Sequence, residues 1–179
     1  MTDSSIGIST RLEQWAELAG YTLTPGKCTD DGRALFWAAL GEIRLFIGKS
    51  QDGWFVVTDS DRMGPEHFIL AAPSMDTIEK YLFGRFCLHI RSARGLPRVG
   101  VPASHNGLLS PYSIETRDFQ GTQRFALIAS DGSTVAVSSA DRVTATAELR
   151  KLALYLTATI DQIEASADDP DGKPLFEPR

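Results

Sequence analysis

The chain of 179 residues has little cysteine, no long apolar run and no targeting segment at its start. Its two cysteines, Cys28 and Cys87, are too few and too far apart for a disulfide framework or a zinc knuckle, which favours reduced thiols and a cytoplasmic location. Its apolar runs stay far below the roughly 20 residues that a membrane helix needs. The first ten residues have neither a basic nor an apolar region, so no signal peptide is expected. These absences exclude a disulfide-rich secreted domain and predict no membrane partner.

Acidic residues are missing between Lys80 and Ile114, and basic residues are missing between Leu152 and Gly172. The first stretch carries Lys80, Arg85, Arg91, Arg94 and Arg98, and the second carries Asp161, Glu164, Asp168, Asp169 and Asp171. The whole chain has a net charge of −5 and a pI near 5.2, which argues against nucleic acid as a partner. The segregation has two interpretations that the sequence leaves open. Either the two stretches lie together and neutralise each other, or one of them steers a partner of opposite charge.

Motifs of catalysis, metal binding and cofactor binding are absent from the sequence. The histidines His67, His89 and His105 fall in different predicted elements without metal-ligand spacing, and neither HExxH nor CxxC occurs. Gly48-Lys49-Ser50 resembles the end of a phosphate-binding loop, but Ile43 stands where that loop needs its first glycine. No G-x-S-x-G elbow is present for a hydrolase nucleophile. We therefore expect a protein that is not an enzyme and has no metal and no cofactor.

Hydrophobic spacing and turn residues predict three helices, seven strands and a candidate eighth strand, 67–71, in a single domain covering 1–179. The helices are predicted over 9–19, 74–92 and 141–166, where apolar residues recur at 3.6-residue spacing. The strands are predicted over 21–24, 34–38, 42–47, 54–58, 67–71, 112–119, 123–129 and 134–138. Turn dipeptides such as Asp52-Gly53 and Asp131-Gly132 make these connections short, so neighbouring strands should be antiparallel. The order α-β(3-4)-α-β(2-3)-α predicts an α+β fold of two layers, an antiparallel sheet with helices on one face. Residues 93–111 are predicted as loop, and 168–179 as a tail that wraps over the surface.

Binding features are easier to find than catalytic ones. Arginine outnumbers lysine 13 to 5, and its fork suits interface ion pairs better than lysine does. We expect Arg91, Arg94 and Arg98 to be exposed at a helix end and in a Pro/Gly-rich loop, where binding residues concentrate. These three residues are the first candidates for contact with a partner.

Aromatic pairs in the predicted strands supply a second set of candidates. Because neighbours in a strand point to opposite faces, Trp54 and Phe55 cannot share one core layer. One of them must face another layer, a partner or solvent, so Trp54 is a candidate interface anchor. Asp61 and Arg62 are further candidates, although an internal ion pair at a strand end fits them equally well.

Several segments, in order along nearly the whole chain, resemble the immunity factor family of the tuberculosis necrotizing toxin. They include Asp31-Gly32-Arg33, Trp37, Gly41-Glu42, Arg44, Phe46-Ile47, Gly53-Trp54 and Ser60-Asp61-Arg62-Met63, together with 74–86 and 171–176. The resemblance implies a cytoplasmic immunity protein, or antitoxin, whose partner is an NAD-hydrolysing toxin domain (an NAD glycohydrolase). It implies inhibition by binding the toxin and blocking access to its NAD site. A chaperone-like module that holds a segment of a secreted client is the alternative from another class.

Overall fold

The helices and strands follow the predicted order with three additions, a fourth helix and two short strands that pair with each other. The computed structural model describes residues 6–102 and 111–179; His105, one of the histidines considered above, lies outside them. In these ranges the helices are α1 (Thr10–Leu18), α2 (Met75–Ala93), α3 (Arg142–Thr157) and α4 (Ile160–Asp168). The strands are β1 (Thr22–Thr24), β2 (Ala34–Ala38), β3 (Ile43–Lys49), β4 (Phe55–Asp61), β5 (His67–Ala72), β6 (Val99–Gly100), β7 (Ser113–Phe119), β8 (Thr122–Ile128), β9 (Thr134–Val137) and β10 (Glu177–Pro178).

Eight of these strands form one antiparallel sheet in the order β1-β2-β3-β4-β5-β9-β8-β7. Short turns connect β2 through β5 and β7 through β9, as the turn dipeptides predicted. Gly53 and Gly132 occupy left-handed positions in two of these turns, with φ of 87° and 83°. The two runs of strands meet where Ala71 of β5 pairs with Val137 of β9. The predicted α+β class with an antiparallel sheet is confirmed.

The two faces of the sheet carry different clusters because side chains alternate along a strand. Leu70 and Ala72 belong to the main core, which also contains the buried residues of the helices, whereas Ala71 between them belongs to a smaller cluster. Leu127 and Ala126 divide in the same way. The helices therefore cover one face of the sheet, here called the inner face, and within residues 6–102 and 111–179 no helix covers the other, the outer face.

The single helix predicted over 141–166 is two helices, so that prediction is wrong. The break falls between α3 and α4, where Thr159 and Gln162 form a capping box. The backbone N–H of Gln162 donates to Thr159 Oγ1 at 3.1 Å, and the backbone N–H of Thr159 donates to Gln162 Oε1 at 2.9 Å. These bonds satisfy backbone donors at a new helix start, which makes a break there stable.

The last segment of the chain, predicted as a surface tail over 168–179, is partly buried in the core. Leu175 and Phe176 are buried in the main core, and the Phe176 ring meets the Tyr155 ring edge-on at 6.4 Å between centroids. Its last residues form β10, which pairs with β6. Strand β6 lies within the stretch predicted as loop, so that prediction missed a short strand whose partner is distant in sequence.

Gly84 in the middle of α2 leaves space for a ring of another helix. A Cβ built at Gly84 would lie 2.2 Å from the Tyr155 ring, and that ring is fully buried. We expect Gly84→Ala to lower the free energy of unfolding by about 1–3 kcal/mol, because overpacking outweighs the gain in helix propensity. Urea unfolding of the two proteins measures this loss, and an unchanged midpoint would contradict the close packing.

Candidate functional site

Arg91 is buried, so the prediction that it is exposed for a partner is wrong. Only 2% of the residue is exposed, and its guanidinium lies against the backbone that follows α4. Nη1 donates to the carbonyl oxygens of Ser166, at 2.8 Å, and Asp169; Nη2 donates to those of Pro170, at 2.9 Å, and Pro97, at 3.1 Å. The side chain holds the end of α4 to the end of α2, and its burial leaves no exposed donor for a partner.

Two other basic residues of the stretch without acidic residues, Lys80 and Arg94, also form contacts inside the molecule. Lys80 Nζ donates to the carbonyl oxygens of Tyr155, at 3.4 Å, and Ala158, where α3 ends. Arg94 forms an ion pair with Asp168 at the end of α4. Basic groups at helix C-termini satisfy the last carbonyls and complement the helix dipole. The interpretation that the two charged stretches lie together is therefore supported at these contacts.

Arg98 and Arg94 remain on the surface, and their contact with a partner stays a prediction. Arg98 is exposed just before β6. The Arg94 side chain is 43% exposed. A surface ion pair of this kind is worth only about 0–1 kcal/mol, so Arg94 can exchange Asp168 for a partner carboxylate at little cost.

Trp54 and the Asp61-Arg62 pair lie at opposite ends of β4. Trp54 comes directly before the first residue of β4 and belongs to the outer-face cluster, whereas Phe55 packs against the main core. The expectation that the two rings divide between layers is confirmed. Asp61 and Arg62 are exposed at the far end. Among the described residues neither side chain forms an ion pair, so the internal pair considered as an alternative is not present.

Two turns lie side by side at the end of the sheet that carries Asp61 and Arg62. We call them the paired turns: residues 39–42, between β2 and β3, and residues 61–64, between β4 and β5. They are joined because the backbone N–H of Arg62 donates to the carbonyl of Glu42 at 2.7 Å. Leu40 is fully exposed at the tip of one turn, and Met63 is 76% exposed at the tip of the other. The sequence interpretation named Asp61 and Arg62 but missed these two apolar tips.

The outer face carries an open cleft of 610 Å³ whose lining includes Arg33, Thr58 and Gln120. Beside it, Arg33 forms a two-pronged contact with Glu66, at 2.7 and 2.9 Å, and donates to Asp31 at 2.7 Å. The guanidinium also lies 4.3 Å above the centre of the Phe46 ring. These contacts hold the guanidinium of Arg33 and the carboxylates of Glu66 and Asp31 in fixed positions at the cleft.

The Arg33 hydrogen bonds lower the pKa of Glu66 and of Asp31 below the usual carboxyl range. Because the folded-state pKa of Glu66 is depressed, its stabilisation is present above the unfolded value of about 4.3 and is lost as pH falls through the folded-state value. We expect Glu66→Gln to lower the free energy of unfolding by less than about 1 kcal/mol at pH 7, since these groups are partly exposed. Urea unfolding at pH 7 and pH 3 should show a larger difference between the proteins at pH 7 than at pH 3. An equal difference at both values would contradict the ionic cause.

The outer face also carries a cluster of aromatic side chains. The Phe119 ring lies 5.1 Å from the Trp54 ring and 5.9 Å from the Phe68 ring, and the Arg124 guanidinium lies 3.7 Å above Phe68. Phe119 comes from β7, the strand at the far edge of the sheet. Its side chain covers Trp54, so Trp54 is half-buried and is a weaker anchor than the sequence indicated.

The groups that could do chemistry are scattered or buried. Within the described residues, no three histidine, cysteine, aspartate or glutamate side chains are grouped to hold a metal ion. Burial raises the pKa of the Cys87 thiol to about 12, which keeps it protonated and unreactive at neutral pH. A search of the described helices finds none long and apolar enough to cross a membrane.

A large antiparallel sheet defines the class, an α+β domain suited to binding another protein. Among the described residues its outer face carries no helix, and its turn tips expose apolar side chains. The chain belongs to the family Immunity protein 61, whose model matches residues 15–175. It is therefore an immunity protein.

Named relatives agree with this assignment. The chain is 43% identical over 171 residues to the "Immunity factor for TNT" of Mycobacterium tuberculosis, strain ATCC 25618 / H37Rv, covering 96% of this chain and 93% of the relative. It has the same identity and coverage with the "Immunity factor for TNT homolog" of Mycobacterium bovis, strain BCG / Pasteur 1173P2. The solved structure of Rv3902c from M. tuberculosis is 40% identical, with a TM-score of 0.86 over 99% of this chain and 97% of that one.

Proposed function

We propose that this chain binds an NAD-hydrolysing toxin domain of the TNT type in the cytoplasm and inhibits it by blocking access to its NAD site. The observation that carries the proposal is the 43% identity over 96% of the chain to an immunity factor for TNT. Family membership favours this role over the chaperone-like alternative, because immunity proteins act on a folded toxin.

The physical character of the molecule supports inhibition by contact. A protein that blocks a site needs a rigid surface of roughly 800 Å² on each partner, with a few well-packed anchors. The sheet supplies a rigid frame, and its turns present side chains at its ends. No reacting group of the immunity protein is required, which agrees with the sequence interpretation that it is not an enzyme.

The proposal is tested by producing the TNT domain in a bacterial host with and without this chain. We expect the toxin alone to deplete cellular NAD and stop growth, and co-production to restore both. The control is co-production with Phe86→Asp, a variant that we expect not to fold. Depletion of NAD in the presence of soluble, folded chain would contradict the proposal.

A further inference from the structure

The paired turns expose more apolar side chain than their position requires. Leu40 is 100% exposed, Met63 is 76% exposed and Ile43, which follows the first turn, is 41% exposed. They are three of the five large hydrophobic residues that are exposed within the described part of the chain. Scattered single exposures need no explanation, but these three residues lie on or directly after two hydrogen-bonded turns and are grouped at one end of the sheet.

The backbone of these turns is held in a conformation that ordinary residues avoid. Ala39 and Leu40 have φ of 50° and 55°, and Arg62 and Met63 have φ of 45° and 61°. Across the described residues the other non-glycine residue with positive φ is Gln120, whereas the remaining left-handed positions are glycines. Strain of this kind persists where the surrounding structure imposes it, and it clusters at functional sites.

Contacts beneath the tips hold the turns in place. Arg44 Nη2 donates to Ser60 Oγ at 3.1 Å, and Ser60 Oγ donates to the carbonyl of Gly64 at 2.8 Å. Together with the bond from Arg62 to Glu42, these contacts make the two tips one rigid unit. Such a unit loses little conformational freedom when it binds.

Charged residues lie around the apolar tips, as they do at the rim of a protein interface. Glu42, Asp61 and Arg62 are exposed beside the apolar tips, and no ion pair among the described residues occupies them. An apolar centre with a charged rim is the usual composition of a protein-binding patch. Arg91, by contrast, is buried and donates from both Nη1 and Nη2 to carbonyl oxygens inside the molecule.

We propose that the paired turns are the element that contacts the toxin domain, with Leu40 and Met63 inserted into an apolar depression on its surface. This inference rests on the proposed function. Charges of both signs on the toxin would face Glu42, Asp61 and Arg62 around that depression. This role explains why Leu and Met, and not glycine, stand at these strained and exposed positions. Glycine would relieve the backbone strain but would remove the side chain that binds.

The test is the double variant Leu40→Asn, Met63→Asn, since asparagine tolerates the left-handed conformation and removes the apolar contact. The matched control is Val143→Asn, because Val143 is 79% exposed at the start of α3 and does not belong to the paired turns. Affinity for the purified TNT domain is measured by calorimetry, together with the melting temperature of each variant. We expect the double variant to bind at least about thirtyfold more weakly, as for two interface anchors. Its melting temperature should be unchanged or higher, and the control should bind as the wild type does.

Binding of the folded double variant within threefold of the wild type would overturn the inference, as would an equal loss in the control. Leu40→Gly, which removes the Leu40 side chain and at the same time relieves the backbone strain, decides the matter if the double variant melts early: retained affinity overturns the inference and weakened affinity supports it. Failure of the wild type to bind the TNT domain would overturn this inference and the proposed function together. Binding by the paired turns without inhibition of NAD hydrolysis would overturn the proposed function alone.

Discussion

Phe86→Asp is expected to abolish soluble folding. Phe86 is completely buried beneath α2, where its ring lies 5.0 Å from the Tyr21 ring and 5.3 Å from the Phe36 ring. The substitution removes a large aromatic contact worth about 3–5 kcal/mol and places an unpaired carboxylate in the core. Since a domain of this kind is stable by only about 5–15 kcal/mol, the loss approaches or exceeds its total stability. Soluble yield and the circular dichroism melting curve measure the outcome.

The matched control for this variant is Val143→Asp, which changes an exposed residue at the start of α3. It should express and melt as the wild type does. Leu156→Asp should lie between the two, because the structure leaves Leu156 half-buried. A cooperative melt of Phe86→Asp near the wild-type temperature would mean that this face of α2 does not form the core.

Arg91→Met is expected to lower the free energy of unfolding by about 1–3 kcal/mol, because it leaves buried carbonyl oxygens without their donor. Methionine keeps the apolar stem of the side chain but removes the donors to four carbonyl oxygens. Buried acceptors that lose a charged donor are costly to leave unsatisfied. The end of α4 and the segment after it should therefore loosen from α2.

Urea unfolding measures this loss, and Arg98→Met is its control. Arg98 is exposed near the same helix end, so its replacement should change stability by less than about 0.5 kcal/mol. Equal stability of Arg91→Met and the wild type would show that the carbonyl contacts contribute nothing. It would also reopen the interpretation of Arg91 as a residue for a partner.

Local signals in the sequence predicted most of the sheet. Strand alternation and turn glycines such as Gly53 and Gly132 act between neighbouring residues, so the hairpins and the α+β class followed from them. The break between α3 and α4 was missed although its signal, Thr159 with Gln162 three residues later, is also local. The pairing of β6 with β10 was not predictable in this way, because it joins segments far apart in the chain.

The candidate site was predictable only in part, since exposure depends on tertiary packing. Arg91 looked exposed because it lies at a helix end in an acid-free stretch, yet α4 covers it. Leu40 ends an apolar run that begins at Ala34 and lies just after the strand predicted over 34–38, so nothing local indicated that it would be exposed. Its exposure follows from the left-handed turn at Ala39. Asp61 and Arg62 were identified as candidates, and they lie on the paired turns beside the tips that the sequence did not indicate.

Steady-state kinetics of the TNT domain test the central claim, that the immunity protein blocks access to the NAD site. The apparent inhibition constant of this chain is measured for NAD hydrolysis at increasing NAD concentrations. Because a protein that occupies the NAD site competes with the substrate, we predict that the apparent constant rises linearly with NAD concentration. An apparent inhibition constant that stays the same at all NAD concentrations would contradict the account.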